Sequence, residues 1–219
     1  MADVDLEPTG LAARLARELP AKVAVWLGLA VGICVPYFTL QHVAWFPVRS
    51  VPATPIDAWI PLTPDLLWVY FSLGALVPLG PALATRRDEL RRYAWGLFWL
   101  CLPCFVLFAV FPVAGPRPEL APEHRLYHWL VAYDRPTNSM PSLHAGLTVY
   151  SLLFLWRVAR LPRPVEWLGV AWGGLIFYAT LATKQHWLVD LPVGAALACI
   201  AHAAAWRGAG ASPPAPRGA

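Results

Sequence analysis

A histidine and an aspartate near the end of the chain have a spacing that suits catalysis. His186 and Asp190 are four residues apart, so a helix would place both on one face, where the carboxylate can accept a hydrogen bond from an imidazole nitrogen. That bond fixes the tautomer and leaves the other nitrogen basic. The pair could therefore be a nucleophile, a general base or a metal ligand with its supporting carboxylate. It could equally be a pair that only satisfies itself at a helix start.

A second polar cluster contains the run Pro141-Ser142-Leu143-His144. Proline is favoured in the first turn of a helix, where no N–H is needed. The free amides of that turn and the Ser142 hydroxyl would form an anion site, and a protonated His144 could donate a proton to a leaving oxygen. The cluster therefore predicts an acid beside an anion.

Two cations complete the set. Arg117 is followed by a proline, and Lys184 lies two residues before His186. The planar guanidinium of arginine suits two phosphate oxygens. Together, the clusters predict phosphate binding by Arg117 and Ser142, with two histidines in different roles.

The elements that position these residues are predicted to be membrane helices. Of 219 residues, 58% are hydrophobic and 14% are charged, whereas about a quarter are charged in soluble proteins. We therefore expect an all-α, polytopic membrane protein. Apolar runs long enough to cross a bilayer give six predicted spans, at 22–41, 65–84, 93–114, 141–160, 164–183 and 187–206.

Basic residues predict the orientation, because Lys and Arg near span ends are retained in the cytoplasm. Alternate loops divide the cations twelve to five, which favours six spans with both termini cytoplasmic. The inner set is Arg14, Arg17, Lys22, Arg86, Arg87, Arg91, Arg92, Arg157, Arg160, Arg163, Arg207 and Arg217; the outer set is Arg49, Arg117, Arg125, Arg135 and Lys184. The three polar clusters then share the outer face.

The domain organisation is simple. We expect a cytoplasmic segment over 1–21, one membrane domain over 22–206 and a disordered tail over 207–219. The net charge of +4 comes from scattered arginines and forms no basic face, which excludes nucleic-acid binding as a main role.

Metal and disulfide chemistry is not expected. The four cysteines lie in apolar runs, which favours packing over disulfides or a zinc site. His124 and His128 have the spacing of a helical metal pair, with Glu123 or Asp134 as a third ligand, but histidines in a hydrated loop need no metal. The cysteines are Cys34, Cys101, Cys104 and Cys199.

The order Arg117-Pro118, Pro141-Ser142-Leu143-His144 and His186-x-x-x-Asp190 resembles the type 2 phosphatidic acid phosphatase superfamily of membrane phosphatases and phosphotransferases. The resemblance implies that His186 is a nucleophile oriented by Asp190, that a phosphohistidine forms without a metal, and that His144 donates a proton to the leaving group. Ser142 and Arg117 would hold the phosphoryl oxygens.

The sequence departs from the usual motifs of that family, K-x6-R-P, P-S-G-H and S-R-x5-H-x3-D. Val110 and Thr180 stand where a lysine and an arginine are usual, and Leu143 replaces a glycine. Lys184 is expected to supply one missing cation. A second register, with Arg135-Pro136 as the first motif and His128 seven residues before it, leaves too little chain before Pro141, so Arg117 is preferred.

The expected function is hydrolysis of a lipid-linked phosphate ester or anhydride at the outer face of the plasma membrane. The first alternative is a phosphotransferase, because the form of the motifs, with Asp134 and Asn138 shaping an acceptor site, most resembles the inositol phosphorylceramide synthase-like branch. The second is a protein that binds or transports an anionic lipid without turnover. Which lipid is used does not follow from these motifs.

Overall fold

The computed structural model describes residues 10–43, 45–118, 123–159 and 161–207, and these are mostly helical. The two ends, 1–9 and 208–219, lie outside the described residues, so the expectations for the start of the N-terminal segment and for the tail are not addressed. The helices are α1 (Leu11–Ala16), α2 (Leu19–His42), α3 (Pro55–Trp59), a 3-10 turn (Pro64–Leu66), α4 (Leu67–Phe71), α5 (Leu73–Leu83), α6 (Arg87–Val110), α7 (Arg125–Tyr133), α8 (Leu143–Val158), α9 (Arg163–Ala182) and α10 (Asp190–Trp206).

Four of the predicted spans correspond to segments long and apolar enough to cross a bilayer, namely Leu19–His42, Pro64–Leu83, Arg87–Val110 and Arg163–Ala182. The other two, predicted at 141–160 and 187–206, correspond to shorter apolar helices of 16 and 17 residues. An integral membrane protein is therefore supported, while the count of six crossings and the side of each terminus stay predictions.

The helix starts differ from the predicted span starts by up to six residues. α6 begins at Arg87, six residues before the predicted span, because the Glu89 carboxylate accepts the N–H groups of Thr85 and Arg86 and caps a charged first turn. α10 begins at Asp190, three residues after the predicted start. Charged residues shorten an apolar run without ending a helix, which explains the difference at α6.

The core forms around α8, which packs against α5, α6, α9 and α10. Large aromatic side chains fill it; Tyr93, Phe108, Tyr150 and Phe154 are fully buried or nearly so. Cys101 and Cys104 belong to the same cluster as free thiols. α8 is therefore the central helix of the membrane domain.

A short parallel strand pair was not part of the all-α expectation. β1 (Arg49–Ser50), in the loop after α2, pairs with β2 (Val113–Ala114), which follows α6. Val113 also forms a bridge to Asn138. These bonds join three loops at the end of the molecule where the predicted site residues lie.

A close helix crossing joins the starts of α8 and α10. A Cβ at Gly194 would overlap the carbonyl oxygen of Ser142, and one at Gly146 would lie 3.2 Å from the carbonyl oxygen of Gly194. The Ser142 N–H donates to the Asp190 carbonyl at 3.1 Å. Because both glycines lack side chains, the N-terminal turns of the two helices meet.

Candidate active site

His186 lies in the loop between α9 and α10, so the predicted helical spacing of His186 and Asp190 is wrong. The loop turns at Lys184, whose φ of 54° is left-handed. The backbone N–H groups of Gln185 and His186 both donate to the Thr180 carbonyl, at 3.0 and 3.3 Å. The imidazole is therefore positioned by a turn that closes back on the end of α9.

The Nδ1 atom of His186 faces two acceptors. It lies 2.9 Å from the Ser139 carbonyl oxygen and 3.4 Å from Oδ2 of Asp190. Since a carbonyl can only accept, Nδ1 carries a proton and donates it, and in the neutral imidazole Nε2 then has the lone pair. The imidazole is 5% exposed, so its orientation is fixed by buried contacts.

Asp190 acts mainly on the neighbours of His186. Its Oδ2 accepts a short hydrogen bond from the Ser139 hydroxyl and another, at 2.8 Å, from the Trp187 N–H. Its buried Oδ1 has no hydrogen-bond partner among the described residues. The carboxylate thus holds Ser139, and the Ser139 carbonyl holds the imidazole.

His144 lies in the first turn of α8 and faces His186. The two ring centroids are 5.8 Å apart, and the other face of His144 stacks on Tyr70 with centroids 4.0 Å apart. Ser142 caps the helix, because its buried hydroxyl accepts the Ala145 N–H at 3.2 Å. The structure therefore brings both histidines and the capped helix start together, as predicted.

Arg117 approaches the same end from the loop after β2. Its Nη2 donates to both the backbone carbonyl and the carboxylate of Asp134, each at 3.0 Å. Its Nε and Nη1 are buried and have no hydrogen-bond partner in the described ranges. Unpaired buried donors are costly, so these two nitrogens are available to an anionic ligand.

The second candidate arginine is placed differently. Arg135 is exposed, whereas the Arg117 side chain is 15% exposed. The partner of Arg117, Asp134, is held by the Tyr37 hydroxyl at 3.1 Å and by a short bond from the Gln41 amide. Among the described residues, Asp134 therefore forms its ion pair with Arg117 and not with Arg135.

Lys184 does not point at the histidines. Its ammonium donates to the backbone carbonyls of Asp57 and Ile60, at 3.0 and 2.6 Å, so the structure joins it to α3 in the loop after α2. Its expected contact with phosphate stays a prediction. In the structure, Lys184 ties α3 to the loop that carries His186.

Asp57 makes the same connection from the other side. Its Oδ1 accepts the Leu188 N–H at 2.8 Å, and its Oδ2 accepts both the N–H and the hydroxyl of Thr54. Burial by itself raises the pKa of this carboxyl, but these hydrogen bonds and the charge of Lys184 outweigh it, so the pKa lies below the ordinary 3.8. Asp57 is therefore ionised at neutral pH.

Tyr127, on α7, closes another side of the loop. Its hydroxyl donates to the Thr183 carbonyl at 3.3 Å. Burial raises the pKa of this hydroxyl, with nearby Arg117 opposing the shift, so Tyr127 stays a neutral donor. α7 thereby packs on the turn that precedes His186.

The two histidines considered as a metal pair have other partners. His124 caps α7 by accepting the Tyr127 N–H, and its Nε2 lies 3.3 Å from Asp65. His128 is exposed. Within the described ranges, no three His, Cys, Asp or Glu side chains form a group that could hold a metal ion.

Three contributors were not anticipated from the sequence. Ser139 stands in the polar run before Pro141, which could have singled it out. Tyr70 lies inside an apolar span and gives no signal of its own. Asp57 was not predicted to contribute, although the run Thr54-Pro55-Ile56-Asp57 has the pattern of a capping box.

One of three comparisons with known proteins finds a match. No curated protein and no solved structure matches the chain. The family model described as the PAP2 superfamily matches residues 38–204, which include all the predicted site residues. With more than half of its length matched, the chain belongs to the PAP2 superfamily.

Proposed function

We propose that this protein is a membrane phosphatase that hydrolyses a lipid-linked phosphate ester or anhydride through a phosphohistidine on His186. The observation that carries the proposal is the 2.9 Å bond from Nδ1 of His186 to the Ser139 carbonyl. It leaves the Nε2 lone pair free, which is the form of histidine that can attack phosphorus. Membership of the PAP2 superfamily supports the same class of reaction.

The first step forms an N–P bond and breaks a P–O bond. Nε2 of His186 attacks phosphorus, the electron pair of the breaking bond goes to the lipid oxygen, and His144 gives that oxygen a proton. The 5.8 Å between the two ring centroids leaves room for a phosphoryl group between them. In the second step, water gives its proton to His144 and its oxygen to phosphorus, and inorganic phosphate leaves His186.

The developing charge needs fixed donors. Nε and Nη1 of Arg117 are available for two phosphoryl oxygens, and the first turn of α8, with the Ser142 hydroxyl, offers more. Lys184 acts from the edge of the site by holding α3 over the loop. The buried donors of Arg117 and the start of α8 therefore take the place of the two missing motif cations. The proposed reaction uses no metal.

A lipid substrate follows from the position of the site at the ends of apolar helices. With six crossings and cytoplasmic termini, the site faces the periplasm or the cell exterior at the plasma membrane. The inositol phosphorylceramide synthase-like branch differs only in the second acceptor, a hydroxyl in place of water, so phosphotransfer is the alternative when hydrolysis fails.

The test is phosphate release by the purified protein in detergent with a chelator present, from phosphatidic acid and from a polyprenyl diphosphate. We expect release by the unmodified protein, with a bell-shaped pH profile because His186 must be neutral and His144 protonated. His186→Gln should abolish release. The exposed His128→Gln is the matched control and should keep full activity.

Two outcomes would contradict the proposal. Release that His186→Gln retains would exclude this nucleophile, and release that the chelator abolishes would exclude a metal-independent reaction. If the unmodified protein releases nothing, a repeat with inositol added distinguishes the phosphotransferase from a lipid binder. A substrate with a radiolabelled phosphate should label the unmodified protein and not His186→Gln. A label that is stable in alkali and labile in acid would identify the phosphohistidine.

A further inference from the structure

A basic cleft lies at the opposite end of the molecule from the histidines. It has a volume of about 330 Å³ and is formed by the start of α6 and the end of α10. Because α10 begins at Asp190 and has 17 residues, its far end is about 25 Å from the candidate active site at 1.5 Å per residue. The cleft is lined by Arg91, Arg92, Trp95, Trp99, Ala204 and Ala205.

The two arginines of the cleft are not neutralised by carboxylates. Nearby acidic side chains have other partners: Asp88 pairs with Arg86, Glu18 pairs with Arg87, and the Glu89 carboxylate accepts the N–H groups of Thr85 and Arg86. None of the ion pairs found in the described part of the chain involves Arg91 or Arg92. The cleft therefore carries two positive charges.

Arg92 also has an unused donor. Its Nη1 donates to the Ala205 carbonyl at 2.8 Å, and its guanidinium lies over the Trp206 ring, 5.1 Å from the centroid. Its Nε is buried without a hydrogen-bond partner in the described ranges. Such donors are costly unless an external acceptor pairs with them, which points to an anion in the cleft.

The surface below the cleft indicates that this anion is attached to an apolar chain. Trp95 and Trp99 are 53% and 52% exposed, and Leu102 and Val106, on the same face of α6, are also exposed. Tryptophan prefers the membrane interface, and basic pockets between membrane helices bind anionic headgroups. Because α6 is long and apolar enough to cross a bilayer, this face lies against lipid, and acyl chains can reach the cleft along it.

We propose that the arginine cleft binds an anionic phospholipid, with the phosphate at Arg91 and Arg92 and the acyl chains along Trp95, Trp99, Leu102 and Val106. The phosphate accepts from the planar guanidinium groups, which suit its oxygens. The site is separate from the catalytic histidines and does not depend on the phosphatase reaction. By the predicted orientation it lies at the cytoplasmic leaflet.

Native mass spectrometry of the full-length protein, released from detergent with phosphatidylglycerol or phosphatidylcholine added, tests the proposal. We expect phosphatidylglycerol adducts to exceed phosphatidylcholine adducts at least fivefold. The variant Arg91→Gln/Arg92→Gln should lose that excess, and excess inorganic phosphate should not displace the lipid. Arg163→Gln is the matched control, an exposed arginine at the start of α9 on the same end of the molecule, and should behave as the unmodified protein.

Arg91→Gln alone keeps the test decisive if the double variant is not monodisperse on size exclusion. Arg91 is exposed and the structure gives its guanidinium no partner in the described ranges, so its replacement cannot disturb the fold. Equal adducts with both lipids, an unchanged excess in both cleft variants, or an equal loss in Arg163→Gln would overturn the proposal. Displacement by inorganic phosphate would show a free-anion site instead.

Discussion

At the scale of single residues, Arg117 has two buried nitrogens, Nε and Nη1, without hydrogen-bond partners among the described residues, while its Nη2 donates to Asp134. If the two free groups bind phosphoryl oxygens, Arg117→Lys keeps the charge but loses the planar fork. We expect kcat/KM for phosphatidic acid to fall roughly 30-fold, since a hydrogen bond to a charged group contributes about 2 kcal/mol. Steady-state phosphate release measures this.

Arg135→Lys is the control for Arg117, because Arg135 is the alternative first-motif arginine and is exposed. Its kcat/KM should stay within about twofold of the unmodified protein, as for most surface substitutions. The reverse ranking of the two variants would exchange the roles of the two arginines and would favour the second register of the motif.

Asp57 gives a prediction about stability and pH. Asp57→Asn keeps an acceptor for Leu188 but loses the oxygen that accepts both donors of Thr54. We expect a loss of about 2 kcal/mol at pH 7, which corresponds to a Tm lower by roughly 4–8 °C. Thermal unfolding in detergent, followed by tryptophan fluorescence, measures the difference.

The sign of the pH dependence follows from the lowered pKa of Asp57. The contribution of the carboxylate is complete above about pH 4 and is lost as the pH falls through the folded-state pKa. The Tm gap between the unmodified protein and Asp57→Asn should therefore narrow below about pH 4. A gap that is constant with pH would exclude the ionised carboxylate as its cause. Glu123→Gln, at an exposed position, is the control and should show no gap.

At the scale of elements, the crossing of α8 and α10 determines whether the histidines meet. A Cβ at Gly194 would overlap the Ser142 carbonyl, so Gly194→Ala must push the two helix starts apart. Overpacking of this kind costs about 1–3 kcal/mol. We expect a lower Tm and a loss of phosphate release larger than the loss of folded protein, because His144 moves away from His186.

Gly174→Ala is the matched control for the crossing. Gly174 lies inside α9 and has nothing within 4 Å of an added Cβ. Alanine is favoured over glycine inside a helix by about 1 kcal/mol, so Tm should be unchanged or higher and activity should be kept. A Gly194→Ala protein with normal activity would show that the close crossing is not needed to position the site.

Apolar run length predicted the elements better than their ends. The six predicted spans all correspond to helical segments, because burial or lipid contact requires apolar residues throughout. The loop between α9 and α10 was predicted to be helical at His186. Instead, His186 lies in a turn whose left-handed residue is Lys184, and no glycine or proline in the sequence marks this turn. A spacing of four residues therefore predicted proximity to Asp190 correctly and the helical reason for it wrongly.

The candidate site was predictable where an ionisable side chain stands out from an apolar sequence. His186, His144 and Arg117 stand out because ionisable groups are rare in such a chain. Ser139 and Tyr70 could not be predicted, because a backbone carbonyl and a ring face have no sequence signature of their own. Their roles depend on which loop and which span lie beside the histidines, and this is a property of the packed helices.

At the scale of the whole molecule, the orientation can be tested with single cysteines and a membrane-impermeant maleimide. The native Cys34, Cys101, Cys104 and Cys199 lie inside α2, α6 and α10, so the unmodified protein should stay unlabelled. If both termini are cytoplasmic, Arg125→Cys, at the start of α7, should be labelled in intact cells. Arg163→Cys, at the start of α9, should be labelled only after lysis.

Arg207→Cys extends the test to the two short helices. α8 and α10 have 16 and 17 residues, near the minimum for a crossing, so their flanking turns must complete the span. If α8 does not cross, Arg125→Cys and Arg163→Cys should be labelled alike, and if α10 does not cross, Arg207→Cys should be labelled in intact cells. Six crossings require Arg207→Cys and Arg163→Cys to be protected from the maleimide in intact cells. In that arrangement α8 and α10 both begin at the outer face, which is where His144 and His186 then lie.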